Sequence, residues 1–346
     1  MGCSNSPQIE EITTPPVKPV SNEDSKSNEK SLLSKNQVDE MMGELQLFLT
    51  FLQSRAVKKV TIGSGGQGKI RKYYSEKYER EVVEKIVNLN NCARGTLGIS
   101  GIESLIKEAI LLSKFDHPNI VKIFDFKTSP PTIIMEYCAK GSLRQILDKN
   151  VKLPIKYKIF LIKSICNGLY YVHSKGIVHG DLKCDNILLY DEKRVKIDGN
   201  LYPIPKLADF GLSQLGDNQI VGGTPGFIAP EILNGSGLNF KTDIFALGML
   251  MFEILSGLRP VPAQKDVILQ CLVLKKIPCT KEVLRRAYDL KEESLLPGIK
   301  DPIYSDFYSI MIECIQEDPE KRPNIGQVYN IVQFLESALL ILIAIL

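Results

Sequence analysis

Histidine is scarce, with three in 346 residues, and the eight cysteines at positions 3, 92, 138, 166, 184, 271, 279 and 314 form no Cys-x-x-Cys pair. A Cys/His zinc cluster is therefore hard to assemble, and the cysteines read as reduced thiols of a cytosolic protein. An excess of one charge is lacking too. The 43 Lys and Arg against 40 Asp and Glu leave a net charge of +3, with no long basic block to follow a phosphate backbone. Nucleic acid is not an expected partner. No run reaches the roughly 20 apolar residues needed to cross a bilayer, and the N-terminal stretch lacks the apolar core of a secretory signal. What the chain does have is apolar content, 44% of its residues, enough for a sizeable core in two domains or one two-lobed one.

Residues 1–35 are rich in Ser, Pro, Asn, Lys and Glu and read as a disordered tail, because they bury too little apolar surface to offset the entropy of ordering. In residues 36–56 Val38, Met41, Met42, Leu45, Leu49 and Leu52 recur near helical spacing, which predicts a leader helix weakened by Gly43. Short β-type runs follow at Lys59–Ile62, Gly68–Tyr73 and Glu81–Val87, then a helical stretch at Gly101–Lys114. Two more strands are expected at Val121–Phe126 and Thr132–Tyr137. From Ser142 helical patterns dominate, at Lys156–Lys175, Thr242–Ser256, Val267–Lys275 and Tyr304–Glu317. A small β-rich lobe thus precedes a larger helical one, with no internal repeat.

Chemistry-bearing residues punctuate this pattern. Gly63, Ser64, Gly65, Gly66, Gln67 and Gly68 have the form G-x-G-x-x-G between two strand runs. Such glycines also serve plain hairpins and dinucleotide sites, but a dinucleotide site would be followed by a helix. Here Lys69–Tyr73 reads as strand, which favours a hairpin lid over nucleotide phosphates. Lys85 sits in an apolar strand, where an unpaired ammonium is costly, so it needs a partner. Glu108 on the following helical stretch is the first candidate and Glu103 the second.

His179-Gly180-Asp181-Leu182-Lys183-Cys184-Asp185-Asn186, followed by Asp209-Phe210-Gly211, resembles the catalytic and metal loops of the eukaryotic protein kinase superfamily. Gly223 to Glu231, Asp243 with Gly248, and Arg322-Pro323 continue the resemblance in order, over about residues 57–337. The resemblance implies an α+β, two-lobed kinase fold, with a small lobe at 57–137 and a large one at 138–337. It also implies ATP and Mg²⁺ as cofactors and proteins as substrates. In that scheme the backbone of Gly63–Gly68 covers the phosphates, Lys85 held by Glu108 aligns them, and Asn186 and Asp209 are hard oxygen ligands for Mg²⁺. Asp181 accepts the substrate's hydroxyl proton, and Lys183 is a fixed cation beside the transferred group. Ile62, Ile70, Val83, Met135, Glu136 and Cys138 would frame the nucleotide, while Thr224 and Glu231 belong to the substrate-docking segment. Lys183 and Thr224 resemble the serine/threonine class rather than the tyrosine class.

Several residues depart from the family pattern. Gly180 stands where most members carry the arginine that receives an activation-loop phosphate. The loop from Leu212 to Gly223 offers only Ser213 as a hydroxyl. Val83 replaces a small alanine, Phe245 a common tryptophan, and Asp191–Pro205 lengthens the stretch before Asp209, predicting an extra hairpin that turns at Asp198-Gly199. A pseudokinase adaptor is the competing reading, yet Lys85, Asp181, Asn186 and Asp209 are all present.

Met1-Gly2-Cys3-Ser4-Asn5-Ser6 fits the N-myristoylation pattern. One myristoyl chain gives an affinity of only about 10⁴ M⁻¹, and the tail's net charge of −1 supplies no electrostatic second signal. Cys3 is the expected second acylation site, so the protein is expected on the cytosolic face of a membrane. Ala338–Leu346 is apolar throughout and too short to span. Burial under the large lobe and shallow insertion into lipid are both open to it.

Overall fold

The structure, a computed structural model, describes residues 42–43, 58–65, 68–87, 113, 115–210, 214–215, 224, 226–260 and 302–345. The chain divides into Met1–Ala56 and Val57–Leu346. Of the first unit only Met42 and Gly43 are described, both helical and exposed. The remaining residues of the expected tail and leader helix, the helical stretches at 101–114 (apart from Ser113, which is in a turn) and 267–275, and most of the 211–223 loop lie outside the described residues.

In the second unit five antiparallel strands come first: β1 (Val60–Gly65), β2 (Gly68–Ser75), β3 (Arg80–Val87), β4 (Ile123–Thr128) and β5 (Pro131–Glu136), in the order β1-β2-β3-β5-β4. Period-two alternation sorts β3 into two faces. Val82 and Glu84 point one way and are buried, Glu84 held by Lys59 at 2.7 Å and Arg71 at 3.4 Å. Val83 and Lys85 point the other way, with Lys85 opposite Ile70 of β2 and Ile133 of β5. Gly65 pairs with Gly68, so the G-x-G-x-x-G stretch is the β1–β2 hairpin expected from the sequence.

The larger part is helical. Helix α1 (Leu143–Leu147) starts at a capping box in which Ser142 and Gln145 satisfy each other's backbone amides. Helix α2 (Ile155–Ser174) buries Tyr157, Leu161, Ile162, Ile165, Leu169 and Val172. After β6 (Ile177–Val178), β7 (Ile187–Ile197) and β8 (Asn200–Leu207) form a long hairpin. Ile197 pairs with Asn200, and Asp198 and Gly199 take φ of 48° and 81°, the twin left-handed pair that Asp-Gly favours. The predicted insertion is therefore a hairpin, anchored on α2 where Tyr157 stacks on Tyr202 at 4.5 Å and donates to Pro203 O at 3.0 Å.

A two-residue strand, β9 (Gln214–Leu215), pairs with β6. Helix α3 (Pro230–Leu233) precedes α4 (Phe240–Ser256), the core of the lobe, buried at every position from Thr242 to Leu255. Fully burying each large apolar side chain there contributes about 1.5–3 kcal/mol. Asn239 caps its start, and Gly257, φ 74°, ends it in the left-handed conformation. Helix α5 (Pro302–Cys314) crosses α4 so closely that a β-carbon on Gly248 would stand 2.5 Å from Ile315. It stops before Glu317, the expected end, and Asp318 then caps a short 3₁₀ turn at Pro319–Lys321; proline disfavours helix at the residue before it.

Helix α6 (Ile325–Ile345) packs against α2 and α5 and runs without a break through 338–345, so the apolar segment is the end of this helix and not a separate piece. Among the described residues no helix is long and apolar enough to cross a membrane. Cys138, Cys166, Cys184 and Cys314 are buried free thiols.

Candidate active site

The site is assembled on the turn after β6 and is held from beneath by α4. Asp243, 1% exposed, accepts the backbone N–H of His179 at 2.7 Å and of Gly180 at 2.9 Å, and its Oδ2 meets His173 Nε2 at 2.8 Å. Burial alone would raise the Asp243 carboxyl's pKa; the hydrogen bond and charge of His173, with the Gly180 amide, hold it below the usual carboxylate value. His179 is buried against the Phe210 ring at 4.6 Å, and burial pushes its pKa down. Gly180 takes φ 81°, a region where a β-carbon is strained. Glycine thus suits the twist that the two amides make toward Asp243.

Asp181 follows at the front. Its Oδ2 accepts from Lys183 Nζ at 2.6 Å and Asn186 Nδ2 at 3.1 Å, and its Oδ1 accepts from Thr224 Oγ1 at 2.9 Å. Lys183 Nζ also donates to Thr224 Oγ1 at 2.6 Å, so Asp181, Lys183 and Thr224 close a ring of hydrogen bonds. Asn186 lies in a 3₁₀ turn, Cys184–Asn186, and its Nδ2 also donates to Asp181 O at 2.8 Å. This use of Nδ2 leaves Oδ1 as the amide's ligand atom.

Asp209 stands just beyond β8 with φ 58°, a left-handed conformation that costs about 1–3 kcal/mol for a side chain of this kind and occurs where function demands it. Lys85 Nζ donates to Asp209 Oδ1 at 2.8 Å, joining the sheet to the helical lobe. Burial would raise the Asp209 pKa, but the Lys85 ammonium outweighs it and the shift is downward. Asp209 is therefore the partner of Lys85 among the described residues; Glu108 and Glu103 lie outside them.

Of the expected nucleotide-framing residues, Gly63 and Ser64 lie on β1 and Gly65 and Gly68 at the hairpin mouth, with Gly66 and Gln67 outside the described residues. Ile62 is half exposed on a strand irregularity between Thr61 and Gly63. Ile70 lies beneath Gly63, whose added β-carbon would meet it at 3.6 Å. Val83 pairs with Met135 across β3 and β5, and Glu136 ends β5. Cys138 is buried and its thiol is pushed up to about 12, so it stays neutral. Further out, Glu231 clasps the buried guanidinium of Arg322 through two bonds, 2.6 and 2.8 Å, over the Phe245 ring. Gly2 and Cys3 lie outside the described residues.

Three supporting contacts were not expected from sequence. Lys206, 7% exposed, pairs with Glu136, 6% exposed, at 2.8 Å, tying the end of β5 to the strand that leads into Asp209. A lysine in an apolar strand was the signal, and it is the argument applied above to Lys85. Arg144 of α1 forks onto Glu253 of α4, with Nη2 to Oε2 at 2.8 Å, and reaches Asp185 at 3.3 Å. His173 carried no local signal at all.

A two-lobed scaffold that joins Lys85, on the strand paired with the glycine hairpin, to Asp209, and bonds Asp181 to Lys183 and Asn186, gathers the kinds of group that phosphoryl transfer uses. A family model described as "Protein kinase domain" matches residues 56–334. The chain belongs to the protein kinase family. It is 30% identical over 295 residues to the probable serine/threonine-protein kinase PBL5 of Arabidopsis thaliana, an alignment covering 80% of this chain and 65% of that protein. It is 29% identical to the probable serine/threonine-protein kinase PBL7 of the same plant, over 81% and 74% of the two chains. With the calmodulin-binding receptor-like cytoplasmic kinase 3, also from Arabidopsis, it shares 32% identity over 64% of this chain and 44% of the relative. The match thus spans just under two thirds of the first of these relatives and less than half of the third.

Proposed function

We propose that this protein kinase is an ATP- and Mg²⁺-dependent serine/threonine kinase of protein substrates, acting at the cytosolic face of a membrane. The observation that carries the reading is the ring of Asp181, Lys183 and Thr224, with Asn186 donating to Asp181. A decoy site has no need to hold one carboxylate between a cation, a hydroxyl and an amide. The names of the Arabidopsis relatives support the serine/threonine assignment.

The donor set suits the cofactors. Asn186 Oδ1 and the Asp209 carboxylate are two hard oxygens, the kind of partial set that Mg²⁺ accepts when phosphates and water complete its octahedron. When bound, ATP and Mg²⁺ supply the transferable phosphoryl group and its charge neutralisation. The chain's own work is positioning. Asp181 accepts the proton of a serine or threonine hydroxyl and aims its oxygen. Lys183, already at 2.6 Å from Asp181 Oδ2, carries positive charge to the place where negative charge develops. Lys85, in exchange for Asp209 or alongside it, aligns phosphate oxygens, and the β1–β2 hairpin excludes water above them.

Two further readings belong with this. Gly180, in the place of the phosphate-receiving arginine, makes the enzyme independent of activation-loop phosphorylation. The N-terminal pattern at Gly2 and Cys3 supports double acylation of a tail ending near residue 35, ahead of a leader at 36–56. The test is transfer of labelled phosphate from ATP to a generic protein substrate and to the enzyme itself. Wild type should incorporate label, and Asp181→Asn should keep ATP binding while losing 10²-fold or more of the rate, on the order expected for a lost general base. Equal label from the two proteins would refute the role of Asp181, and no label from wild type would refute the enzyme and favour an adaptor.

A further inference from the structure

The outward side of α6 carries no charge, and a row of exposed apolar side chains runs along it between uncharged polar ones. Val328, Val332, Leu335 and Leu339 recur at helical spacing and are buried against the lobe. On the other side Phe334 and Ile341, two turns apart, are 70% and 62% exposed, and Phe334 is the most exposed large apolar side chain among the described residues. Ile331 flanks them, half exposed. The remaining exposed residues of this side, Gln327, Asn330, Gln333 and Ser337, are all uncharged. Across the helix from Ile325 to Ile345 the one charged residue is Glu336, and it is paired with Lys163 of α2. Ala338 to Ile345 contains no polar residue while the helix turns more than twice, so no rotation of the backbone offers water a polar side there.

A second copy of the chain is a poor occupant of this face. A stable protein interface needs about 800 Å² per partner, and a single row of two side chains with one flanking neighbour is far narrower. The row also lacks charges to fix a partner's register. A bilayer surface asks for neither. It takes one apolar row to a depth of about 5–10 Å, and it needs no matching shape.

We propose that the outward face of α6, centred on Phe334 and Ile341, docks into the interfacial layer of a lipid bilayer, lying along the surface without crossing it. This deepens the membrane-surface reading above, because a single acyl chain needs a second contribution to hold a protein at a membrane. It differs from the acylation in one respect that can be measured: the unacylated chain retains it. Because the face is uncharged, its binding is insensitive to salt and to anionic lipid.

The experiment uses the full chain, prepared without and with acylation, in flotation with phosphatidylcholine vesicles and with vesicles containing phosphatidylserine. The unacylated wild type should bind both. Phe334→Ser/Ile341→Ser should lower its partition coefficient about tenfold or more, given what burying two large apolar side chains contributes. Thermal midpoint and peptide phosphorylation should not change, since both side chains already face solvent. Wild-type binding by the double variant overturns the inference, as does binding that falls steeply with salt. Sedimentation showing a wild-type dimer that the double variant dissolves overturns it in favour of a second copy. Loss of binding on Gly2→Ala in the acylated protein, with no effect of the double variant, would sink this inference and leave acylation standing; the reverse would do the opposite.

Discussion

Thr224 Oγ1 donates to Asp181 Oδ1 at 2.9 Å while accepting from Lys183 Nζ at 2.6 Å. One hydroxyl thereby fixes the orientation of the proposed base and of its neighbouring cation, from a residue 43 positions further along the chain. A valine at this place keeps the shape and removes both bonds. Thr224→Val is expected to lower kcat about tenfold or more with little change in KM for ATP, whereas Thr224→Ser should recover most of the rate. Steady-state kinetics of the three proteins checks this, and a Thr224→Glu variant should be nearly inactive because its carboxylate faces Asp181.

Gly180 has φ 81° and no side chain to bind a phosphate. Gly180→Ala should destabilise the fold by about 1 kcal/mol through backbone strain, read as a lower denaturation midpoint with an unchanged m-value. Phosphatase-treated enzyme should show no lag in peptide phosphorylation compared with enzyme preincubated with ATP. A lag removed by preincubation, traced to a phosphate between residues 212 and 223, would mean that another cation takes the arginine's place.

Acid should act on Asp243. Its folded-state pKa lies below the unfolded value of 3.8, so it contributes stability that is fully present above about pH 4 and is lost as pH falls through the folded value. Asp243→Asn should therefore be less stable than wild type at pH 7, with a gap that narrows below pH 4. Breaking a buried charged contact of this kind costs about 3–5 kcal/mol. Unfolding by urea at a series of pH values measures both the gap and its closure.

Lys206 and Glu136 form a buried pair, and removing one partner strands the other. Lys206→Met alone should cost about 3–5 kcal/mol, while Lys206→Met with Glu136→Gln should recover much of the loss. A double-mutant cycle in denaturant tests the coupling. Additive losses would show that the two side chains do not support each other.

Much of this protein is determined by local sequence. Alternation on β3, the glycine hairpin, the Asp-Gly turn of β7–β8 and the apolar spacing of α2 and α4 each act within a few residues, where sterics and burial leave one choice. Asp181, Lys183 and Asn186 are near neighbours in the chain, so their common placement was legible too. The tertiary structure alone decided which distant groups meet. Asp243 reaches back to His179, His173 and Gly180, Lys206 finds Glu136 rather than solvent, and Lys85 meets Asp209, 124 residues away. A buried charge must be paired, and which carboxylate pairs it depends on how the lobes pack. The same holds for α6: its composition announces an apolar helix, but only packing on α2 and α5 selects the row that is buried and leaves Phe334 and Ile341 facing outward.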